Sequence, residues 1–300
     1  MSGDVLVTGA TGFLGSHLVP DLEGAGFTVH VCNTSYSNLE HSASEIDKFW
    51  KGKKFRYIFH LAAVTKAGDY CLYHKGEQWI QNQKINTNIL DYWQKYQPQA
   101  KMVAMGTSCS YSPDLPMAEE NYLLGQPDPG LYTYAMTKRM LLTGLQSLEH
   151  QYGLSWLYFV PSTLYGPGFA PGDKHFIFDL IRKISDGKDF GVEVTLWGDG
   201  YQKRELIDVR DAVKIILQLL DKENEVFNLG SGQEYTIREY AEKISEFVGF
   251  DPEEIEYDTS KYVGVRSKRL VPDKLLEVYD GSLTHFSKSL EDAILHYLKS

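Results

Sequence analysis

The chain has 300 residues, a formal net charge of −10, and 43% hydrophobic and 13% aromatic residues. That length supports a large core with a second lobe, and the acidic balance excludes the basic stripe that nucleic acid needs. The three cysteines, Cys32, Cys71 and Cys109, form no Cys-x-x-Cys pair. This argues against a disulfide framework or a metal site and fits a reducing cytoplasm. No apolar run approaches membrane-spanning length, and the chain opens on a strand pattern rather than a signal peptide.

Val5-Leu-Val7 reads as a buried parallel strand, followed by Gly9-Ala-Thr11-Gly12-Phe13-Leu14-Gly15 and a helix. Thr28–Cys32 is a second strand and Ala43–Trp50 a helix. Tyr57–Leu61 is a third strand, running into Ala62-Ala63. Tyr70–Trp79 reads as an aromatic loop that flaps over a site or simply packs. Trp79–Tyr96 is a helix stopped before Pro98, and Lys101–Met105 a strand entering Gly106-Thr107-Ser108-Cys109. Thr133–Tyr152 is a helix ending at Gly153, and Trp156–Pro161 a strand. Alternating strands and helices predict an α/β fold with a doubly wound parallel sheet. Ligands in such folds bind at the carboxyl ends of the strands. The Gly9 turn, His60, Thr107–Cys109 and Pro161–Tyr165 should therefore converge on one cleft.

The glycine turn has a mechanical purpose. Gly9 permits the tight bend, Gly12 lets the backbone approach a pyrophosphate, and Gly15 packs the new helix on the strand. The amides and dipole of the helix start favour the phosphate charge. Further along, Tyr134 and Lys138 share a helix face. A tyrosine hydroxyl can protonate the alkoxide that hydride transfer to a ketone leaves. A free phenol titrates near about 10, so a neighbouring ammonium helps it cycle. Thr107 or Ser108 would hold the carbonyl oxygen.

These pieces resemble the extended short-chain dehydrogenase/reductases that act on nucleotide sugars. The matching segments are the Gly9/Gly12/Gly15 turn, His60-Leu61-Ala62-Ala63, Asn82 to Asn88, Gly106-Thr-Ser108, Tyr134-x-x-x-Lys138, Pro161-Ser-Thr163-Leu164-Tyr-Gly-Pro167, Arg204–Asp211 and Val226–Ser231. Together they span about residues 4 to 240. The resemblance implies a Rossmann-type NAD(P)-binding domain over 1–164 with 204–230. It implies a nucleotide-sugar lobe over 165–203 with 231–300. It assigns the cofactor to Gly9, Thr11, Gly12, Phe13, Leu14, Asn33, Leu61, Ala62, Ala63, Asn82, Tyr134, Lys138, Pro161, Thr163 and Leu164. A homodimer through helices 79–96 and 133–152 is implied as well, since Tyr92, Trp93, Met140, Leu141, Leu145 and Leu148 look exposed.

Within that family the fucose-synthase branch, the 3,5-epimerase/4-reductases, is the most similar. Cys109 stands two residues after Thr107, His175 opens a helix, and Trp197 and Arg204 keep the branch's spacing. There the cysteine and histidine form the acid/base pair that inverts the carbons beside a keto group. Residue by residue, Cys109 and His175 take that role here, and Trp197 and Arg204 face the nucleotide sugar. Lys183, two helical turns after His175, either reaches the diphosphate from the same cleft or lies on a solvated helix face. The plainer reading makes Cys109 a buried filler and His175 a helix-start residue. The chain departs from the branch at Ala10-Thr11, where a basic residue meets the NADP phosphate, and at Thr163, where asparagine is usual. Val31–Ser35 contains no acid to select NAD, which favours NADP. From Glu242 on there is no match. Two other functions stay open: a nucleotide-sugar 4-epimerase or 4,6-dehydratase with tightly bound NAD, and a non-catalytic dinucleotide sensor.

Overall fold

The structure is a computed structural model that describes residues 2–32, 42–66, 69–170, 172–173, 175–261 and 263–299. In chain order the elements are β1 (Gly3–Thr8), α1 (Phe13–Gly24), β2 (Phe27–Cys32), α2 (Ala43–Trp50), β3 (Tyr57–His60), α3 (Asp69–Tyr73), α4 (Lys75–Tyr96), β4 (Lys101–Met105), α5 (Tyr132–Tyr152), β5 (Trp156–Pro161) and β6 (Thr163–Tyr165). There follow α6 (Phe176–Phe190), β7 (Val194–Trp197), β8 (Lys203–Asp208), α7 (Val209–Gln218), β9 (Glu225–Leu229), β10 (Glu234–Thr236), α8 (Ile237–Val248), β11 (Ile255–Asp258), α9 (Asp273–Val278) and α10 (Phe286–Tyr297).

Six parallel strands form the central sheet in the order β2-β1-β3-β4-β5-β9. Both faces are covered, which explains the unbroken apolar strands. In β5, Trp156, Tyr158 and Val160 join the core under α4 and α5. Leu157 and Phe159 point the other way, into the core under α1 and α7. The chain leaves β1 toward β2 and then returns past β1 to lay β3 on its other side. The crevice at that switch point is where α/β sheets take ligands. Beyond it, β6, β8 and β10 make a three-stranded sheet and β7 and β11 a two-stranded one, around a core shared by α6, α8 and α10. A Thr236/Glu239 capping box starts α8 and Gly249 ends it in the left-handed conformation.

Two local expectations change. Tyr70–Trp79 is helical rather than a loop, being split between α3 and α4, with Gln78 already buried in the first turn of α4. The apolar residues expected to stand exposed on the long helices are mostly core. Tyr92, Trp93 and Leu145 are 0% exposed and Leu141 1%, while Met140 alone of the six is 50% exposed. The physical reason is the width of the apolar stripe. Each helix packs against both the sheet and its neighbour, so the inner stripe takes the large rings. Trp93 Nε1 even donates to Ala100 O at 2.8 Å. Among the described residues no helix is long and apolar enough to cross a membrane.

Candidate active site

The glycine turn is built at the switch point. Gly9 has φ +70°, and a Cβ there would lie 2.7 Å from the Ala62 backbone nitrogen. Only glycine lets β1 turn against the end of β3. Gly12 is the N-cap of α1 and supplies no side-chain cap, so the first-turn amides remain available as donors. That uncapped helix start beside an exposed Thr11 is a fitting cradle for a dinucleotide pyrophosphate. Leu14 is buried beneath it, and the Phe13 ring meets Phe178 of α6 edge-on at 5.5 Å. Asn33 lies outside the described residues.

A buried polar chain braces the wall of this cleft. Ala62 N donates to Thr8 Oγ1 (3.2 Å), and Thr8 Oγ1 meets His60 Nδ1 (2.9 Å). His60 Nε2 meets Asn86 Oδ1 (3.1 Å), and Asn86 Nδ2 donates to Thr137 O on α5 (3.4 Å). With Asn86 Oδ1 as acceptor, Nε2 carries the proton and Nδ1 accepts from Thr8. Burial, aided by the Lys138 charge and only partly offset by Asn86, holds the His60 imidazole down to about 4, so it is neutral. Asn82 accepts from Val64 N (2.8 Å) and donates to Val64 O (3.2 Å). It thus acts on the wall through the Val64 backbone. Leu61 N donates to Thr8 O, while Thr163 and Leu164 sit on β6, after Pro161 closes β5.

Thr107, Ser108, Cys109, Tyr134 and Lys138 gather where β4 ends against α5. Thr107 Oγ1 accepts from Cys109 N at 3.3 Å and opens the short 3₁₀ turn Ser108–Ser110. Ser110 Oγ donates to Ala135 O at 3.1 Å, which holds this turn against the start of α5 beside Tyr134. Burial, and then the charge of a Cys109 thiolate, push the Tyr134 phenol above its ordinary range, which keeps it protonated. Lys138 donates to Met105 O at 2.9 Å, and burial brings its ammonium down to about 8. The next residue, Arg139, straps the surrounding loops. Its guanidinium reaches Ser110 O (2.6 Å), Leu124 O (2.8 Å) and Gly125 O (2.8 Å).

Around Cys109 a cation appears from the far end of the chain: Lys268 Nζ stands 2.9 Å from Cys109 Sγ. Burial raises the thiol, but Lys268, Thr107 and Arg204 outweigh it and hold it below its ordinary value. Arg204 spends its guanidinium on Val263 O (2.6 Å) and Val265 O (2.9 Å). Its neighbour Glu205 is 2% exposed and pushed up to about 7 by burial, against hydrogen bonds from Leu270 N and Gly232 N, each at 2.7 Å. His175 is the N-cap residue of α6, with Nδ1 2.5 Å from Asp173 Oδ1. Lys183 donates to Thr195 O (3.1 Å) and pairs with Asp179 (3.2 Å). Trp197 is 39% exposed at the end of β7.

Sequence reasoning missed Lys268, Glu205, Arg139 and the His60–Asn86 link. For Arg139 the only signal was its place beside Lys138. Lys268 gave none, since 159 residues separate it from Cys109.

A glycine turn at a sheet switch point, with a tyrosine and lysine on the facing helix, defines a dinucleotide-dependent enzyme. The chain belongs to the NAD dependent epimerase/dehydratase family, whose profile matches residues 5–230. A probable GDP-L-fucose synthase of Oryza sativa subsp. japonica is 32% identical over 285 residues, covering 92% of this chain and 86% of the relative. Among solved structures, a GDP-L-fucose synthetase from Naegleria fowleri superposes with a TM-score of 0.85 at 22% identity, covering 99% of this chain and 94% of the other. A UDP-glucose 4-epimerase from Thermotoga maritima gives 0.86 at 23%, covering 99% of each. The fold is thus shared by reductases and epimerases alike.

Proposed function

We propose that this NAD(P)-dependent nucleotide-sugar enzyme reduces the C4 ketone of a 4-keto-6-deoxy nucleotide sugar and inverts the carbons flanking that ketone. The supporting observation is the packing of the Tyr134–Lys138 turn of α5 against the Thr107–Ser110 turn after β4, through Ser110 Oγ to Ala135 O (3.1 Å) and Lys138 Nζ to Met105 O (2.9 Å). A reduced nicotinamide supplies the hydride. The amides at Phe13 and Leu14, with Gly9, Thr11, Gly12, Leu61, Ala62 and Ala63, would hold the dinucleotide. Tyr134, kept protonated, donates to the nascent alkoxide. Thr107 or Ser108 orients the carbonyl, and Lys138 fixes the nicotinamide ribose and favours tyrosinate after donation. Cys109 removes a proton beside the ketone, and His175, oriented by Asp173, returns one from the opposite face. Trp197, Arg204 and Lys183 are assigned to the nucleotide diphosphate.

NADP is favoured over NAD by the lack of an acid in Val31–Ser35. The dinucleotide unit is assigned to 1–164 with 204–230, supported by the return of β9 to the central sheet. The sugar lobe is assigned to 165–203 with 231–300, supported by the separate small sheets. A homodimer through α4 and α5 is supported by Trp79, Ile80 and Met140, which stay exposed on those helices. Its test is a dimeric mass by light scattering at micromolar concentration. A reducing, cytoplasmic setting is supported by the odd number of cysteines and their lack of a Cys-x-x-Cys pair.

The decisive assay is a mass-spectrometric screen of 4-keto-6-deoxy nucleotide sugars with NADPH in deuterated water. The expected product is reduced and carries solvent deuterium at the flanking carbons. Tyr134→Phe should lose about 10²–10⁴ in rate with cofactor affinity almost unchanged. No reduction of any such ketone, together with tightly held NAD in the purified protein, would turn the reading to a 4-epimerase.

A further inference from the structure

The C-terminal third carries no recognisable motif, yet it delivers a cation to one particular sulfur. Lys268 Nζ lies 2.9 Å from Cys109 Sγ. The segment that carries it is pinned on several sides. Lys268 N donates to Glu234 Oε2 on β10 (3.1 Å), and Leu270 N to Glu205 Oε2 on β8 (2.7 Å). Val271 N donates to Met117 O (3.0 Å), and Asn228 Nδ2 of β9 to Val271 O (3.1 Å). Two carboxylates and the central sheet therefore set the register of this segment, and the register aims the lysine at the thiol.

We propose that Lys268 holds Cys109 as a thiolate and so readies it to take a proton from the carbon beside the substrate ketone. This rests on the reading of Cys109 as the epimerisation base. The other groups facing the sulfur agree with it. Arg204 adds positive charge and Thr107 a hydrogen bond. Tyr134 and Cys71 also feel the sulfur, and both are raised, first by burial and then by the Cys109 charge, so they stay neutral. The two cysteines thus diverge. Cys71 bonds a carbonyl, Lys66 O at 2.9 Å, and is held as a thiol, while Cys109 bonds an ammonium. In the step itself the C–H bond breaks, an S–H bond forms, and the electron pair passes into an enolate whose oxygen Thr107 and Tyr134 face. Lys268 keeps its protons throughout and acts as a positioning residue through Cys109.

The test is the pH dependence of iodoacetamide alkylation at Cys109 in the full-length, substrate-free protein, followed by peptide mass spectrometry. Wild type should show a midpoint below the ordinary thiol value of about 8.5. Lys268→Met and Lys268→Gln should each move it up by about one pH unit or more, and slow alkylation near neutrality about tenfold. Lys268→Arg should restore it, with an unchanged circular-dichroism spectrum in every variant as the control for folding. In the reaction, Lys268→Met should lose deuterium uptake while reduction of a substrate that needs no inversion persists. A midpoint that both neutral variants leave in place overturns the assignment, even if KM rises, because Lys268 would then serve only to bind substrate. Wild type that takes up no solvent deuterium sinks the epimerisation reading, and the base role with it, whatever the titration shows.

Discussion

His60 is a neutral imidazole locked between Thr8 and Asn86, and acid should unlock it. Folding lowers its proton affinity from 6.5 to about 4, so the unfolded chain binds a proton first as pH falls. Stability from this group is fully present above pH 6.5 and is lost progressively down to about pH 4. The gap of about 2.5 pH units, at about 1.4 kcal/mol each, makes the full loss about 3.5 kcal/mol, of which about 2 is gone by pH 5. At 2% exposure solvent screening takes little from this figure. Urea unfolding of wild type and His60→Gln at pH 7, 6 and 5 isolates the term, because all other groups titrate equally in both. The variant costs stability at pH 7 through lost packing, yet its disadvantage should shrink by about 2 kcal/mol at pH 5. A difference between the two proteins that stays constant with pH would refute the reasoning.

Asn82→Ala leaves Val64 N without its acceptor and Val64 O with Gln78 Nε2 (3.2 Å) as its remaining donor. It should cost about 1–3 kcal/mol in urea unfolding and weaken dinucleotide binding in a fluorescence titration; unchanged binding would separate Asn82 from the cleft wall. Gly106→Ala would place a Cβ 2.6 Å from the Tyr158 ring and 2.8 Å from the Tyr122 hydroxyl. The overpacking should cost about 1–3 kcal/mol and lower kcat by displacing Thr107, which calorimetry and steady-state rates would register. Lys138→Met removes an ammonium that burial has brought from 10.5 to about 8. That drop represents about 3 kcal/mol at neutral pH, and Met105 O loses its donor. The substrate-free protein should therefore gain about 2 kcal/mol while turnover collapses; a variant both active and less stable would contradict the burial argument.

The alternation of strands and helices was legible in the sequence because parallel strands buried on both faces must be short and apolar. Lys101–Met105 and Trp156–Pro161 were read to the residue. The Gly9 turn was legible because its backbone shape admits one residue type. Tyr134 and Lys138 were legible because helical spacing puts them on one face. All of these depend on neighbours within a few residues. Periodicity says which side of a helix is apolar but not how many neighbours cover it. Tyr92 and Trp93 therefore looked exposed until α5 and the sheet closed over them. Only the tertiary structure could bring Lys268 to Cys109, thread His60 through Asn86 to α5, or bury Glu205 between two loops. Such contacts join segments tens to hundreds of residues apart. Their electrostatics arise from shared burial, which no local pattern of residues encodes.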